Sequence, residues 1–253
     1  MALTQAERLL QDVGVTEPDE IDLDAIAYHV NARVRYRLLD GCEARIVGYG
    51  NQAIITVNKS SIHQRKRFSI AHELGHWHNH RGQCLVCRAD DYQPDHALAP
   101  ERVANAYAAD LLMPNYIFRP LASKHEKLNF KMVGALADIF STSKTATALR
   151  LVTGDYHPAI LVCHGPNGRK WFKPAPSVPS KWFPQDNLDA DSFAFGILFG
   201  HKPDDANPRK IGADAWFDRR DAERYEVYEQ TIRTGPNEIV TLVLINQPAM
   251  LEE

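Results

Sequence analysis

The sequence predicts an α+β protein built from a small antiparallel sheet with helices, a short helical pair and a β-rich C-terminal region. Three short runs alternate apolar and polar residues before residue 58, and four apolar runs separated by turns follow residue 158. Between them the apolar spacing changes to the helical period of 3.6. We therefore expect three domains, with bounds 1–118, 119–155 and 156–253.

Composition indicates the compartment. Of 253 residues, 44% are hydrophobic and 24% are charged, as in an ordinary globular protein. We find no basic start followed by an apolar run and no stretch of roughly 20 apolar residues, so we expect no membrane association. Four scattered cysteines do not form a disulfide framework, which favours a reducing, cytoplasmic location. The net charge of −3 argues against non-specific nucleic-acid binding by the whole chain but leaves room for a local basic patch.

The first part opens with an amphipathic helix over 4–13 and a second short helix over 25–30. Asp40-Gly41 and Gly50-Asn51 are turn sequences between the runs that follow. The three predicted strands cover 34–38, 44–47 and 53–57.

A longer helix is predicted from Ser61 to about His80. Its apolar residues recur at helical spacing and form one stripe. We expect this stripe to be buried; it comprises Ile62, Phe68, Ile70, Ala71, Leu74 and Trp77.

The middle of this helix reads His72-Glu73-Leu74-Gly75-His76, the pattern H-E-x-x-H. Residues four apart lie above one another on a helix, so both imidazoles can reach one metal ion. Glu73, about 100° round the helix, can act as general base on a water molecule. His80 is too far from His72 along the axis to share a metal with both histidines. The pattern predicts a catalytic zinc site with Glu73 as catalytic residue.

A third ligand is needed, and the helix predicted over 101–113 offers Glu101. Asn105, one turn further on, is a candidate to support the ligands from outside. The alternative for Glu101 is a carboxylate that only stabilises the N-terminus of its helix after Pro100.

Two segments resemble the ImmA/IrrE metallopeptidases. The first is Arg67 to His76, and the second runs from Glu101 through Asn105 to Leu111-Leu112-Met113-Pro114. The resemblance covers roughly residues 20–155. It implies a zincin-like catalytic domain with His72, His76 and Glu101 as zinc ligands. We expect that Mn²⁺ could replace Zn²⁺ in vitro.

The same resemblance implies a function and partners. Members of the family cut a helix-turn-helix transcriptional repressor and so control stress, DNA-damage or mobile-element responses. We expect this chain to be a metalloendopeptidase with such a protein substrate. In some members the C-terminal position holds a GAF-like sensor domain, and the predicted strands here permit a sensor or substrate-recognition role.

A helix-turn-helix-like pattern lies over 131–152, with Ser141-Thr142-Ser143 between the two helices. It suggests an alternative function, a DNA-binding transcriptional regulator that uses these helices. A recognition helix needs basic residues for phosphates, yet 144–152 offers only Lys144 and Arg150. We therefore expect no direct DNA binding here. A purely structural zinc site is also disfavoured, because it would not need Glu73.

Two features of the chemistry stay open. Cys84 and Cys87 form a C-x-x-C pair between the ligand helices, which is either a pair of ordinary thiols, a redox element, or part of a second zinc site with His78 and His80. The donor that stabilises an oxyanion is not indicated by spacing. Its candidates by residue type are Tyr92, His96, Tyr107 and His125.

The C-terminal part is predicted to be β-rich. Its apolar runs alternate with Pro- and Gly-rich turns. The expected strands cover 159–163, 170–172, 193–199 and 239–245.

Overall fold

The computed structural model describes residues 2–80, 86–87 and 99–252, with side chains for all of these except 86–87. Contacts divide the chain into two compact units. The first is Met1–Lys124 with Leu136–Ser143, and the second is His125–Ala135 with Lys144–Glu253. The mixed α+β class is confirmed, with a small sheet in the first unit and a larger one in the second. The three-domain division concerns which segments fold independently and stays a prediction.

The described part of the first unit contains five complete α-helices. Thr4 and Glu7 form a capping box at the start of the first, which exchanges two hydrogen bonds between side chains and backbone. Glu7 is buried and also accepts a hydrogen bond from the backbone N–H of Asn115 at 2.6 Å, which ties the first helix to the fifth. These helices are α1 Gln5–Asp12, α2 Leu23–His29, α3 His63–Asn79, α4 Ala99–Leu112 and α5 Asn115–Ala122.

The sheet of the first unit has the order β1-β3-β2-β4. Strands β2 and β3 form a tight hairpin at Gly50, which has a φ of +56° that glycine adopts without strain. Strand β1 pairs with β3 in parallel, so the prediction of a purely antiparallel sheet is wrong. The reason is that β1 lies on the far side of β3, and the chain steps across that strand before it enters β2. The strands are β1 Ala32–Arg37, β2 Ala44–Tyr49, β3 Gln52–Asn58 and β4 Val86–Cys87.

Helix α3 packs on the inner face of this sheet. Ile46, Ile55 and Val57 are buried there, as the strand alternation predicts. The ring of Trp77 comes so close to β2 that a Cβ on Gly48 would lie 2.8 Å from it, and its indole N–H donates to the carbonyl of Val30 at 2.8 Å. The predicted apolar stripe begins too early: Ile62 precedes the helix and is 71% exposed.

The second unit is built on five antiparallel strands in the order β6-β5-β9-β8-β7. Helices α6 and α7 form where the helical pair was predicted, and α6 belongs partly to each unit. Strands β7 and β8 were not predicted. The elements are α6 Phe130–Phe140, α7 Lys144–Thr153, β5 Ala159–Gly165, β6 Gly168–Pro174, β7 Arg209–Gly212, β8 Glu226–Gly235 and β9 Glu238–Leu244.

One predicted strand is a helix. The segment 193–199 forms helix α8, Phe193–Leu198. Ser192 Oγ accepts from the backbone N–H of Phe195 at 3.1 Å and caps the helix, and the buried Glu229 accepts from the N–H of Ala194 at 2.5 Å. These caps satisfy the first turn, and they outweigh the β propensity of an aromatic-rich run. No helix among the described residues is long and apolar enough to cross a membrane.

Candidate metal centre

Helices α3 and α4 bring three potential ligands together. His72 and His76 lie one turn apart on α3, and their Nε2 atoms are 3.0 Å apart. The first turn of α4 places Glu101 Oε2 at 3.0 Å from Nε2 of His72 and 3.2 Å from Nε2 of His76. All three residues are buried. Glu101 thus does more than stabilise a helix N-terminus, because its carboxylate meets both imidazoles.

The donor set fits a small divalent cation. His72 Nδ1 lies 2.9 Å from Asn105 Oδ1, and since a carbonyl oxygen only accepts, Nδ1 carries a proton. In the neutral tautomer with this proton, Nε2 has a lone pair for a metal ion. Ligands bound tetrahedrally at 2.0–2.1 Å are separated by roughly 3.4 Å. The three separations observed here are close to that value. Two nitrogen lone pairs and a carboxylate at such distances are what a bound cation would stabilise.

Burial and charge set the protonation state of the cluster. Burial, aided by the neighbouring His72, lowers the pKa of His76 to about 4 against the attraction of Glu101. Burial raises the pKa of Glu101, but hydrogen bonds and charges from His72 and His76 together outweigh it and hold that pKa below its usual value. At neutral pH His76 is therefore neutral and Glu101 ionised, which are the forms that bind metal.

Gly75 allows the two helices to approach. A Cβ at this position would lie 2.9 Å from the Cα of Ala104 and 3.2 Å from the Cβ of Tyr107. A larger residue would therefore push α4 away from α3. The glycine inside H-E-x-x-H is thus part of the reason that Glu101 reaches the histidines.

Two further residues contact the candidate ligands His72 and His76. Asn105 meets the second ring nitrogen of His72, where the sequence placed a supporting residue. His80 was dismissed as a ligand together with His72 and His76. The structure instead places its Nδ1 3.2 Å from Nδ1 of His76. Its position four residues after His76 is the signal that could have identified it, because such residues are neighbours on a helix.

The general-base candidate Glu73 follows His72 on α3 and is completely buried. Of the oxyanion-donor candidates, Tyr107 is buried, and its hydroxyl makes no hydrogen bond to any described residue. Its ring stacks near His78 with centroids 5.3 Å apart, and burial raises its pKa. His125 belongs to the second unit. Tyr92, His96 and the side chains of Cys84 and Cys87 lie outside the described part of the chain.

Two histidines one turn apart on a helix, with a carboxylate from a second helix, define a metal centre of the metallopeptidase type. Residues 29–152 match the family model of a peptidase family described as the IrrE N-terminal-like domain. This part of the chain accordingly belongs to the ImmA/IrrE family, as the resemblance implied.

Comparison with solved structures supports the fold. A Mycobacterium tuberculosis transcriptional regulator is similar with a TM-score of 0.60 and 18% sequence identity, over 94% of this chain and 74% of that chain. At this identity the likeness concerns the fold alone. No curated protein sequence matches the chain.

Proposed function

We propose that this protein is a cytoplasmic zinc-dependent metalloendopeptidase that cleaves a regulatory protein. The substrate is a helix-turn-helix transcriptional repressor, whose cleavage controls a stress, DNA-damage or mobile-element response. The observation that carries the proposal is the convergence of His72, His76 and Glu101 within hydrogen-bonding distance of one another. Glu73, which follows His72 on the same helix, is also buried. Membership of a peptidase family supports the reaction type.

The residues divide the work of hydrolysis. His72, His76 and Glu101 would hold the zinc ion, which when bound supplies Lewis-acid polarisation of the water and the scissile carbonyl. Glu73 takes a proton from the attacking water on its carboxylate and later delivers it to the leaving amine. Asn105 and His80 hold the ring orientation of His72 and His76 through the second ring nitrogens.

The test mixes the purified protein with a repressor encoded beside it, in the presence of added Zn²⁺ or Mn²⁺, and follows cleavage on gels and by mass spectrometry. Wild type should cut the repressor at one site, and Glu73→Gln should bind zinc but not cut. Glu126→Gln is the matched control, because Glu126 is exposed and outside the first unit. Equal cleavage by Glu73→Gln would remove the role of Glu73, and no cleavage by wild type would contradict the assignment for that repressor.

The alternative, a DNA-binding regulator that uses residues 131–152, has one supporting observation. Helices α6 and α7 form on either side of Ser141-Thr142-Ser143, and Ser141 adopts a φ of +52° at the turn. A mobility-shift assay with a Glu101→Gln variant separates the two functions. Tight, salt-sensitive binding of duplex DNA that is lost on changing Lys144 and Arg150 would favour the regulator.

A further inference from the structure

The outer face of the first sheet, opposite helix α3, carries a group of arginines. The strand register places Arg35 of β1 and Arg45 of β2 on either side of Thr56 of β3. Arg33 lies two residues before Arg35 and therefore points to the same face, about 6.7 Å away along the strand. We call Arg33, Arg35 and Arg45 the arginine face. It occupies one side of a sheet whose other side is buried.

These three arginines are exposed. Arg33, Arg35 and Arg45 make no hydrogen bond or ion pair with any residue in the described ranges. Elsewhere the exposed arginines Arg219 and Arg233 each meet an aspartate at 2.9 Å. Three unpaired guanidinium groups on one face attract an anionic partner.

Aromatic and apolar side chains lie between the charges. Arg45, Val47 and Tyr49 occupy alternate positions of β2 and therefore share one face of the strand. Val47 is 58% exposed and Tyr49 is 92% exposed. Tyr28, at the end of α2, is 70% exposed. These tyrosines, with Arg33 and Arg35, line an open cleft of about 1120 Å³.

We propose that the arginine face and its cleft bind single-stranded nucleic acid. Guanidinium groups contact the phosphates, and the exposed Tyr49 and Tyr28 stack on bases, the combination that serves single strands on other sheet surfaces. The base faces of duplex DNA are stacked inside the helix, so a duplex could contact the arginines through its phosphates but could not stack on the tyrosines. An acidic peptide would also meet the arginines, but it would leave the exposed aromatic rings without planar partners.

Carboxylates at the edge of the cleft limit where phosphates can lie. Glu20 and Asp22 line the cleft just before α2, and Asp24 in the first turn of α2 accepts a hydrogen bond from Tyr36 at 2.9 Å. These acids repel phosphates. The phosphates should therefore lie over Arg33, Arg35 and Arg45 on the outer face rather than beside these acids.

The arginine face is a different part of the chain from residues 144–152. Those residues are expected not to bind DNA because they carry few basic side chains. Binding at the arginine face also goes beyond the proposed peptidase function, since this face is on the opposite side of the sheet from the metal helix. Binding can therefore be tested without cleavage.

The experiment measures fluorescence anisotropy of labelled single-stranded oligothymidylate and oligouridylate with the full-length protein over a range of salt concentrations. We expect binding that weakens with salt. The combined variant Arg33→Gln/Arg35→Gln/Arg45→Gln should reduce the magnitude of the slope of log K against log salt by about 2. Each of the three lost phosphate contacts contributes roughly 0.7 to that slope. Tyr49→Ala should weaken binding at least about fivefold with an unchanged slope.

A matched variant, Lys127→Gln/Arg220→Gln/Arg224→Gln, removes the same charge from exposed positions of the second unit and should bind as wild type does. Circular dichroism and zinc content show whether each variant folds. Equal weakening by the matched variant would overturn the proposal. So would the absence of oligonucleotide binding, or preferential binding of an oligoglutamate peptide that depends on the same arginines, which would identify an acidic protein partner instead.

Discussion

Glu101 in the first unit and Glu229 in the second are both buried carboxylates, yet their surroundings differ. Glu229 accepts hydrogen bonds from the backbone N–H of Ala194 at 2.5 Å and from the indole N–H of Trp216 at 3.0 Å. Glu101 instead meets the Nε2 atoms of two histidines. One carboxylate has fixed donors, whereas the other faces nitrogens that can present lone pairs.

The difference separates a structural carboxylate from a candidate metal ligand. Donors on the backbone and on Trp216 stay protonated at any ordinary pH, so Glu229 is satisfied by the protein itself. Burial still raises the pKa of Glu229, in spite of these hydrogen bonds, whereas that of Glu101 is lowered by its histidines. A buried carboxylate that meets two imidazole nitrogens in this way is suited to hold a cation.

The largest effect should come from replacing each of the two carboxylates by an amide. Glu101→Gln removes the anionic ligand and should weaken zinc binding by more than the roughly 10–100-fold typical of a lost outer partner. Glu229→Gln should leave zinc affinity unchanged but cost about 1–3 kcal/mol of stability, because an amide NH₂ replaces one of the two oxygens that accept hydrogen bonds. Competition with a chromophoric chelator measures the first, and urea unfolding the second. Equal zinc affinity in the two variants would end the distinction between these carboxylates.

The next effect concerns the buried His164 of the second unit. Burial lowers its pKa from 6.5 to about 4. The unfolded chain therefore binds the proton more tightly, so this contribution to stability is complete above pH 6.5 and is lost as the pH falls towards 4. The loss is on the order of 3 kcal/mol. We expect the free energy of unfolding of the chelator-treated protein to depend less on pH in His164→Gln than in wild type. The same pH dependence in both proteins would contradict a lowered pKa for His164.

The smallest effect should come from the outer partners of the ligands. Asn105→Ala and His80→Ala each remove a group beside a second ring nitrogen, and each should weaken zinc binding by about 10–100-fold with little change in fold. Chelator competition and circular dichroism test this together. His29→Ala is a control, since His29 is exposed and lines the cleft beside Tyr28 and Arg33 rather than the metal centre. Unchanged affinity in both variants would limit the centre to its three ligands.

Much of the site could be predicted because it depends on local geometry. The i and i+4 histidines on α3 follow from helical spacing alone, and Asn105 lies one turn after Glu101 on α4. His80 is too far from His72 to share a metal with both histidines, but helical spacing makes it a neighbour of His76. The pattern H-E-x-x-H does not show why Gly75 is small, because nothing in the local sequence indicates that another helix crosses there.

The fold was less predictable where tertiary contacts decide. The direction of β1 depends on which neighbour it pairs with, and its own alternation fits either a parallel or an antiparallel partner. The segment 193–199 has the aromatic composition of a strand, but Ser192 and the distant Glu229 provide the hydrogen bonds that begin a helix. Such long-range partners leave no signature in the segment itself.

The close packing at Gly75 also bears on which ion the centre can select. The separation of α3 and α4 sets how far Glu101 stands from the two imidazoles, so the glycine fixes the width of the opening into which an ion must fit. Metals of similar ligand preference are distinguished in proteins largely by geometry. Gly75, which has no functional group of its own, therefore helps to determine the size of the ion that fits between the two helices.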